Sequence, residues 1–202
     1  MIKLVCFDLD GVLVDACEWH RIALNEALLE ICNYEISLND HYSIYNGLPT
    51  KIKLNMLAER GLIQKELIPI ISQKKQFLTS KIIENYAKPR EEKIELLQYL
   101  VDNSKILCCY TNSIRDSAFL MLEKTNILNY FRTILSNQDV EKPKPDPEGY
   151  LFLMNYYKIK PEETIIIEDS PTGFEAAYKS GAKVFKVNNA DEVNLKLFKG
   201  FI

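Results

Sequence analysis

Two acids, Asp8 and Asp10, follow the apolar run Leu4-Val5-Cys6-Phe7, and Gly11 comes immediately after them. Side chains at i and i+2 of a strand share a face, so the pair is expected to project together from a strand's carboxyl end. Glycine there lets the backbone turn away. Carboxylates placed so close repel one another, and Mg²⁺, which prefers carboxylate and water oxygens, is the natural counter-charge. Three later stretches carry reactive groups, two at the ends of apolar runs and one in a proline-rich loop. Thr111-Asn112-Ser113 supplies hydroxyls, Lys142 opens Lys-Pro-Lys-Pro-Asp, and Glu168-Asp169-Ser170-Pro171 supplies two more acids. Each has an ordinary reading by itself: a turn, a solvated lysine, a helix cap. Their joint occurrence, in order along one chain, is what those readings leave unexplained.

The elements that must position these groups can be read from the apolar pattern. Short runs at Leu4–Phe7, Ile106–Tyr110, Thr133–Leu135, 164–167 and 184–187 predict buried strands. Helical patterns follow at 117–124, 147–157 and 172–180, with Gly181 placed to stop the last. Alternating strand and helix predicts an α/β fold with a doubly wound, mainly parallel sheet. Ligands of such sheets bind at the carboxyl ends of the strands, where Asp8 and Asp10 lie. Between Val14 and Pro89 no strand is predicted. Ile22, Leu24, Ala27, Leu28 and Ile31 make one helical face, and helices are predicted at 49–60 and 69–86, with Gly61 closing the former. The expected organisation is a core of residues 1–14 and 88–202 with a small all-helical domain, 15–87, inserted after the first strand.

Bulk properties narrow the class. A chain of 202 residues that is 47% hydrophobic can bury a substantial core, and a formal charge of −3 with pI near 5.6 argues against a nucleic-acid partner. No apolar run approaches the roughly 18 residues of a membrane span, and Met1-Ile2-Lys3 leads straight into the first strand, so neither membrane nor signal peptide is expected. Five cysteines with no Cys-x-x-Cys fit a reduced, cytoplasmic protein. Only Gly11 follows the first strand where Gly-x-Gly-x-x-Gly would be needed for a dinucleotide, and no Gly-x-x-x-x-Gly-Lys is present.

Taken together, Phe7-Asp8-Leu9-Asp10-Gly11, Tyr110-Thr111-Asn112-Ser113, Lys142-Pro143-Lys144-Pro145-Asp146 and Ile167-Glu168-Asp169-Ser170-Pro171-Thr172-Gly173 resemble, in order, the motifs of the haloacid dehalogenase superfamily. The resemblance spans essentially the whole chain. It implies a phosphatase with an aspartyl-phosphate intermediate on Asp8, with Asp10 protonating the leaving oxygen and then activating water. Lys142 would bind phosphate and offset Asp8, and Thr111 would hold the transferring group. Mg²⁺ would be held by Asp8, Asp10 through its carbonyl, Asp169 and Glu168. Phosphate charge and closure of the insertion would raise the pKa of Asp10. The insertion is similar to the family's helical cap, which selects substrate. Candidate substrate contacts are His20, Gly47, Lys51, Asn112, Ser113 and Arg115, with Lys53 and Lys75 as further cap lysines, while His41 and Trp19 read as packing residues. The expected substrate is a small phosphate ester, of a sugar or polyol, and the expected state a monomer or weak homodimer. A β-phosphoglucomutase-like mutase is the alternative. Spacing through His20 favours it, but Pro49 stands where the mutases place an arginine, and a lysine nearby lacks the bidentate fork. A dehalogenase is disfavoured by the retained Mg²⁺ ligands and Asp10, and a catalytically silent binding module by the absence of any lost motif.

Overall fold

The structure is a computed structural model in which residues 1–198 are described. Strands β1 (Leu4–Phe7), β2 (Ile106–Tyr110), β3 (Thr133–Leu135), β4 (Thr164–Glu168) and β5 (Lys183–Lys186) form one parallel sheet in the order β3-β2-β1-β4-β5. The central position of β1 follows from its composition. Val5 and Phe7 pack on one face with Leu107, Ile165 and Ile167, while Leu4 and Cys6 pack on the other with Tyr110, Tyr150 and Ile166. A strand apolar on both faces is stable only when helices cover both, which is the doubly wound arrangement.

The register sets the height of the site. Phe7 pairs with Cys109 on one side and Ile167 on the other, so Asp8 emerges level with the ends of β2 and β4. The Asp8 amide continues the ladder onto the Ile167 carbonyl at 3.0 Å, and the chain then turns through Gly11 at φ +89°. A side chain on Gly11 would run into the Asp169 carboxylate, so glycine is required there by contact as well as by backbone angle.

Between β1 and β2 the chain is helical among the described residues: α1 (Cys17–Cys32), a single turn α2 (Leu38–Asp40), a π-helical turn (His41–Tyr45), α3 (Thr50–Glu59), α4 (Ile68–Tyr86) and α5 (Glu91–Asp102). Helices α1, α3 and α4 share their own apolar cluster, in which Leu24, Ala27, Leu28, Leu54, Leu57 and Ile71 meet. The amphipathic face read for α1 holds except at Ile22, which is 40% exposed. Ile22 lies about 200° around the helix from Leu24, and Ala23 is buried instead. Helix α5 is absent from the sequence reading; it packs Leu96, Leu97 and Leu100 under the sheet. After β2 come α6 (Arg115–Lys124), α7 (Glu148–Tyr157), α8 (Pro171–Lys179) and α9 (Leu195–Phe198). Ser170 caps α8 by accepting from the Gly173 amide at 3.1 Å, with Pro171 in the first turn. Strand β5 begins one residue earlier than predicted. No described helix is long and apolar enough to cross a membrane, and all five cysteines are free.

Candidate active site

The carboxyl ends of β1, β2 and β4 open into a cavity of about 930 Å³ whose opposite wall is contributed by α3 and α4. Asp8, one residue past β1, is 6% exposed and accepts from the Lys144 ammonium at 2.7 Å. The same ammonium donates to the Tyr110 carbonyl at 2.7 Å and to Glu168 Oε1 at 2.5 Å, so its three protons have three acceptors. Burial alone would push Lys144 down, but Asp8 and Glu168 hold it above its ordinary value. Burial pushes Asp8 up, Lys144 opposes that, and the neighbouring acids Glu168, Asp169 and Asp10 add to the rise.

Lys144, rather than the expected Lys142, is therefore the lysine paired with Asp8. Lys142 is exposed, outside the cavity lining, and its amide donates to Glu148 Oε2 at 2.9 Å. Glu141 donates its amide to the same carboxylate, so this turn is tied outward while Lys144 is drawn to the acids. Two lysines alternating with prolines look equivalent in sequence. What separates them is the buried carboxylate pair, which lies far away along the chain.

Ligand atoms of Asp8, Glu168 and Asp169 lie within 4.8 Å of one another. Three carboxylates against one ammonium leave excess negative charge in a buried place. Asp169 registers it, pushed up to about 7 by burial first and Glu168 second. Its Oδ1 is buried with no hydrogen-bond partner. An orphaned carboxylate oxygen beside two other hard oxygen donors fits a Mg²⁺ ion. Glu168 is 0% exposed, and its Oε1 also accepts from the Tyr150 hydroxyl at 2.6 Å, so it orients Lys144 as well as adding charge. Cys17 lies beside this cluster, its Sγ 3.8 Å from Asp169 Oδ2.

Asp10 has a separate set of partners. Its Oδ1 meets His20 Nε2 at 2.8 Å, and its Oδ2 accepts from the hydroxyls of Thr111 at 3.1 Å and Ser113 at 2.8 Å. Burial pushes Asp10 up, but the charge and hydrogen bond of His20, with those of Ser113 and Thr111, outweigh it and bring Asp10 to about 2. The expected rise is thus not what these partners impose. The other ring nitrogen, His20 Nδ1, lies 2.9 Å from Lys75 Nζ, and burial lowers Lys75 to about 7. Burial, then the Lys75 charge, keeps His20 below its ordinary value, against the charge and hydrogen bond of Asp10, which raise it.

Of the remaining sequence candidates, Gly47 and Asn112 come together, the Asn112 amide donating to the Gly47 carbonyl at 2.7 Å and the Lys144 carbonyl at 3.1 Å. Lys51 is exposed at the rim of the cavity. Arg115 does not line the cavity: it is exposed on α6 and paired with Asp139. The residues placed most firmly without having been singled out are Lys144 and Tyr150. Lys144 was visible as the second lysine of its motif, whereas nothing in the sequence marks Tyr150.

With fold and site in view, the chain's class is settled by comparison. Residues 5–187 match the haloacid dehalogenase-like hydrolase family, and the chain belongs to that family. It is 24% identical to a phosphoglycolate phosphatase of Aquifex aeolicus over 90% of this chain and 83% of that protein. It is 26% identical to a phosphorylated carbohydrates phosphatase of Thermotoga maritima over 89% of this chain and 82% of that one. Among solved structures, a β-phosphoglucomutase from Clostridium difficile superposes with a TM-score of 0.83 at 20% identity, covering 98% of this chain and 96% of its own.

Proposed function

We propose that the protein is a Mg²⁺-dependent phosphatase of a small phosphorylated metabolite, a sugar or polyol phosphate, with α1 to α4 serving as a cap over the site. The observation that carries this reading is the division of labour between two aspartates in one cavity: Asp8 on Lys144 beside the carboxylate cluster, Asp10 on His20, Thr111 and Ser113. The phosphatase names of two relatives with near-complete overlap point the same way.

In the first half-reaction an Asp8 oxygen forms a bond to phosphorus while the bond from phosphorus to the ester oxygen breaks. Asp10 delivers a proton to the departing oxygen. In the second, Asp10 takes a proton from water as the water oxygen attacks phosphorus and Asp8 leaves. Bringing Asp8 toward a phosphate oxygen at about 4 Å repels by about 4 kcal/mol per charge pair at an effective dielectric near 20. Lys144 offsets part of this. Mg²⁺ held by Asp8, Asp169, the Asp10 carbonyl and Glu168 would supply the remaining positive charge. Asp10 at about 2 holds no proton at neutral pH, so the incoming phosphate dianion must raise it before it can act as an acid. Its contacts to His20 and Ser113 hold the carboxylate in place while that happens.

The mutase reading rests on the overlap with β-phosphoglucomutase. Against it, no arginine lines the cavity among the described residues, and Pro49 is in the wall where a bidentate fork would be wanted. The test is a panel of sugar and polyol phosphates with Mg²⁺, measuring free phosphate and isomerised ester. Phosphate release is expected, abolished in Asp8→Asn with the fold retained by circular dichroism. Isomer without phosphate would establish the mutase, and full activity in Asp8→Asn would end the mechanism.

A further inference from the structure

The cap wall of the cavity contains a charge with no hydrogen-bonded or ion-paired partner among the described residues. Lys53 on α3 is 8% exposed, yet no hydrogen bond or ion pair is made by its ammonium among the described residues. Neighbours on α3, Leu54 and Leu57, belong to the apolar cluster of the helical block. Burying an ammonium without an acceptor is unfavourable by several kcal/mol, and an apolar residue there would pack without that penalty. Lys53 lines the cavity, so the stem packs among apolar neighbours while the head meets the cavity rather than bulk water.

Further observations sharpen the point. Asp10, the carboxylate whose field reaches Lys53, already has three donors of its own. Lys75 on α4 faces the same cavity, 7% exposed, but its ammonium is committed to His20. His41, 2% exposed and also in the lining, has a buried Nδ1 with no partner. Burial lowers Lys53 to about 8, which still leaves it charged at neutral pH. The cap side of the cavity is therefore a polar, cationic pocket with unmet hydrogen-bonding capacity, separate from the carboxylate cluster that faces the scissile phosphate.

We propose that Lys53, assisted by His41, receives a second anionic group of the substrate, so that the preferred phosphate esters carry a carboxylate or another phosphate at the end remote from the bond that breaks. The proposal rests on the phosphatase reading for its first anion and extends it by naming the charge of the second. It also assigns Lys53 as a specificity-determining residue: a neutral polyol tail leaves the ammonium unpaired, and an anionic tail completes it.

The experiment has a turnover arm and a binding arm. In the first, kcat/KM is compared for esters of matched size with a neutral hydroxyl tail, a carboxylate tail and a phosphate tail. The wild type should prefer one or both anionic tails by about 10- to 100-fold, the range of a hydrogen bond to a charged group. The carboxylate and phosphate arms decide which anion is meant. In Lys53→Met that preference should fall toward unity, while Lys53→Arg retains most of it. In the binding arm, methylphosphonate and 3-phosphonopropionate are titrated with Mg²⁺ present, and the same preference is expected in Kd. This arm needs no turnover, so loss of hydrolysis with tail preference intact would count against the phosphatase reading alone. Equal treatment of all tails by the wild type, or an undiminished preference in Lys53→Met, would overturn the subsite. Melting of Lys53→Met supplies the readout that separates binding from structure: removal of an unneutralised buried charge should leave Tm equal or higher, whereas a clear fall would mean the lysine holds the fold together.

Discussion

At the scale of single residues, the site turns on which lysine answers Asp8. Lys144 is 2% exposed with all three ammonium protons engaged, and removing it leaves Asp8 and Glu168 facing each other uncompensated. Breaking a buried pair from one side is unfavourable by about 3–5 kcal/mol. Lys144→Met is therefore expected to lower Tm markedly and to reduce kcat by at least 10²-fold, while Lys142→Met changes stability by no more than about 0.5 kcal/mol and leaves kcat near the wild-type value. Paired melting curves and ester hydrolysis check both halves; equal effects of the two substitutions would contradict the geometry. This ambiguity shows where sequence stops being informative. Asp8, Asp10, Thr111 and Asp169 were legible because each sits at the end of an apolar run, so strand position fixed them. Lys144 sits in an irregular loop, where only the buried acids it reaches distinguish it from Lys142. Arg115 was misread for a related reason: it follows the hydroxyl motif by two residues, but α6 has begun by then and carries it to the surface beside Asp139.

At the scale of elements, one close approach between the helical block and the core is set by a glycine. Gly47, at φ +74°, lies against Ser170 and Thr172 at the start of α8, and a β-carbon there would collide with the Thr172 hydroxyl. Gln76 on α4 reaches Ser117 on α6 at 2.7 Å, a second link across the same boundary. Gly47→Ala adds both a side chain that must displace Thr172 and a left-handed backbone angle, a strain of about 1–3 kcal/mol. The block should then seat poorly, with kcat/KM reduced about tenfold or more while melting changes by only a few degrees; unchanged kinetics would show that this approach is dispensable. Helix α5 offers a test by pH. Its Lys93 is 2% exposed and donates to the carbonyls of Ala190 and Val193, and burial lowers it to about 8. Between pH 8 and about 10.5 the unfolded chain holds more protons than the folded one, so stability should rise with pH across that window. The rise is about 3 kcal/mol relative to Lys93→Met, measured by chemical denaturation, and a flat difference between the two proteins would contradict it. The signal for α5 was present in the sequence, in the acids of its first turn and the spacing of Leu96, Leu97 and Leu100. The interior strands were easier, because unbroken apolar runs have fewer alternative homes than an amphipathic segment does.

At the scale of the whole molecule, strand order, register and chain turns bring acids from positions 8 and 168–169 into one cluster. Asp8 and Glu168 share one ammonium, and the neighbouring Asp169 Oδ1 has no partner. A ligand that binds only the folded state adds stability by mass action, about 2.7 kcal/mol at a hundredfold excess over Kd. For a chain of 202 residues, at about 2–4 °C per kcal/mol, that corresponds to a rise of about 5–11 °C in Tm when Mg²⁺ is added after chelation. Asp169→Asn removes one of the crowded charges together with a hard ligand. Without Mg²⁺ it should melt no lower than the wild type, because like-charge repulsion is relieved, and with Mg²⁺ it should lose most of the upward shift. Calorimetry on the two proteins, with and without the ion, separates a cluster built for a cation from acids that merely crowd. Equal Mg²⁺ shifts in both proteins, or none in the wild type, would remove the cation from this site, and with it the charge balance that lets Asp8 approach a phosphate.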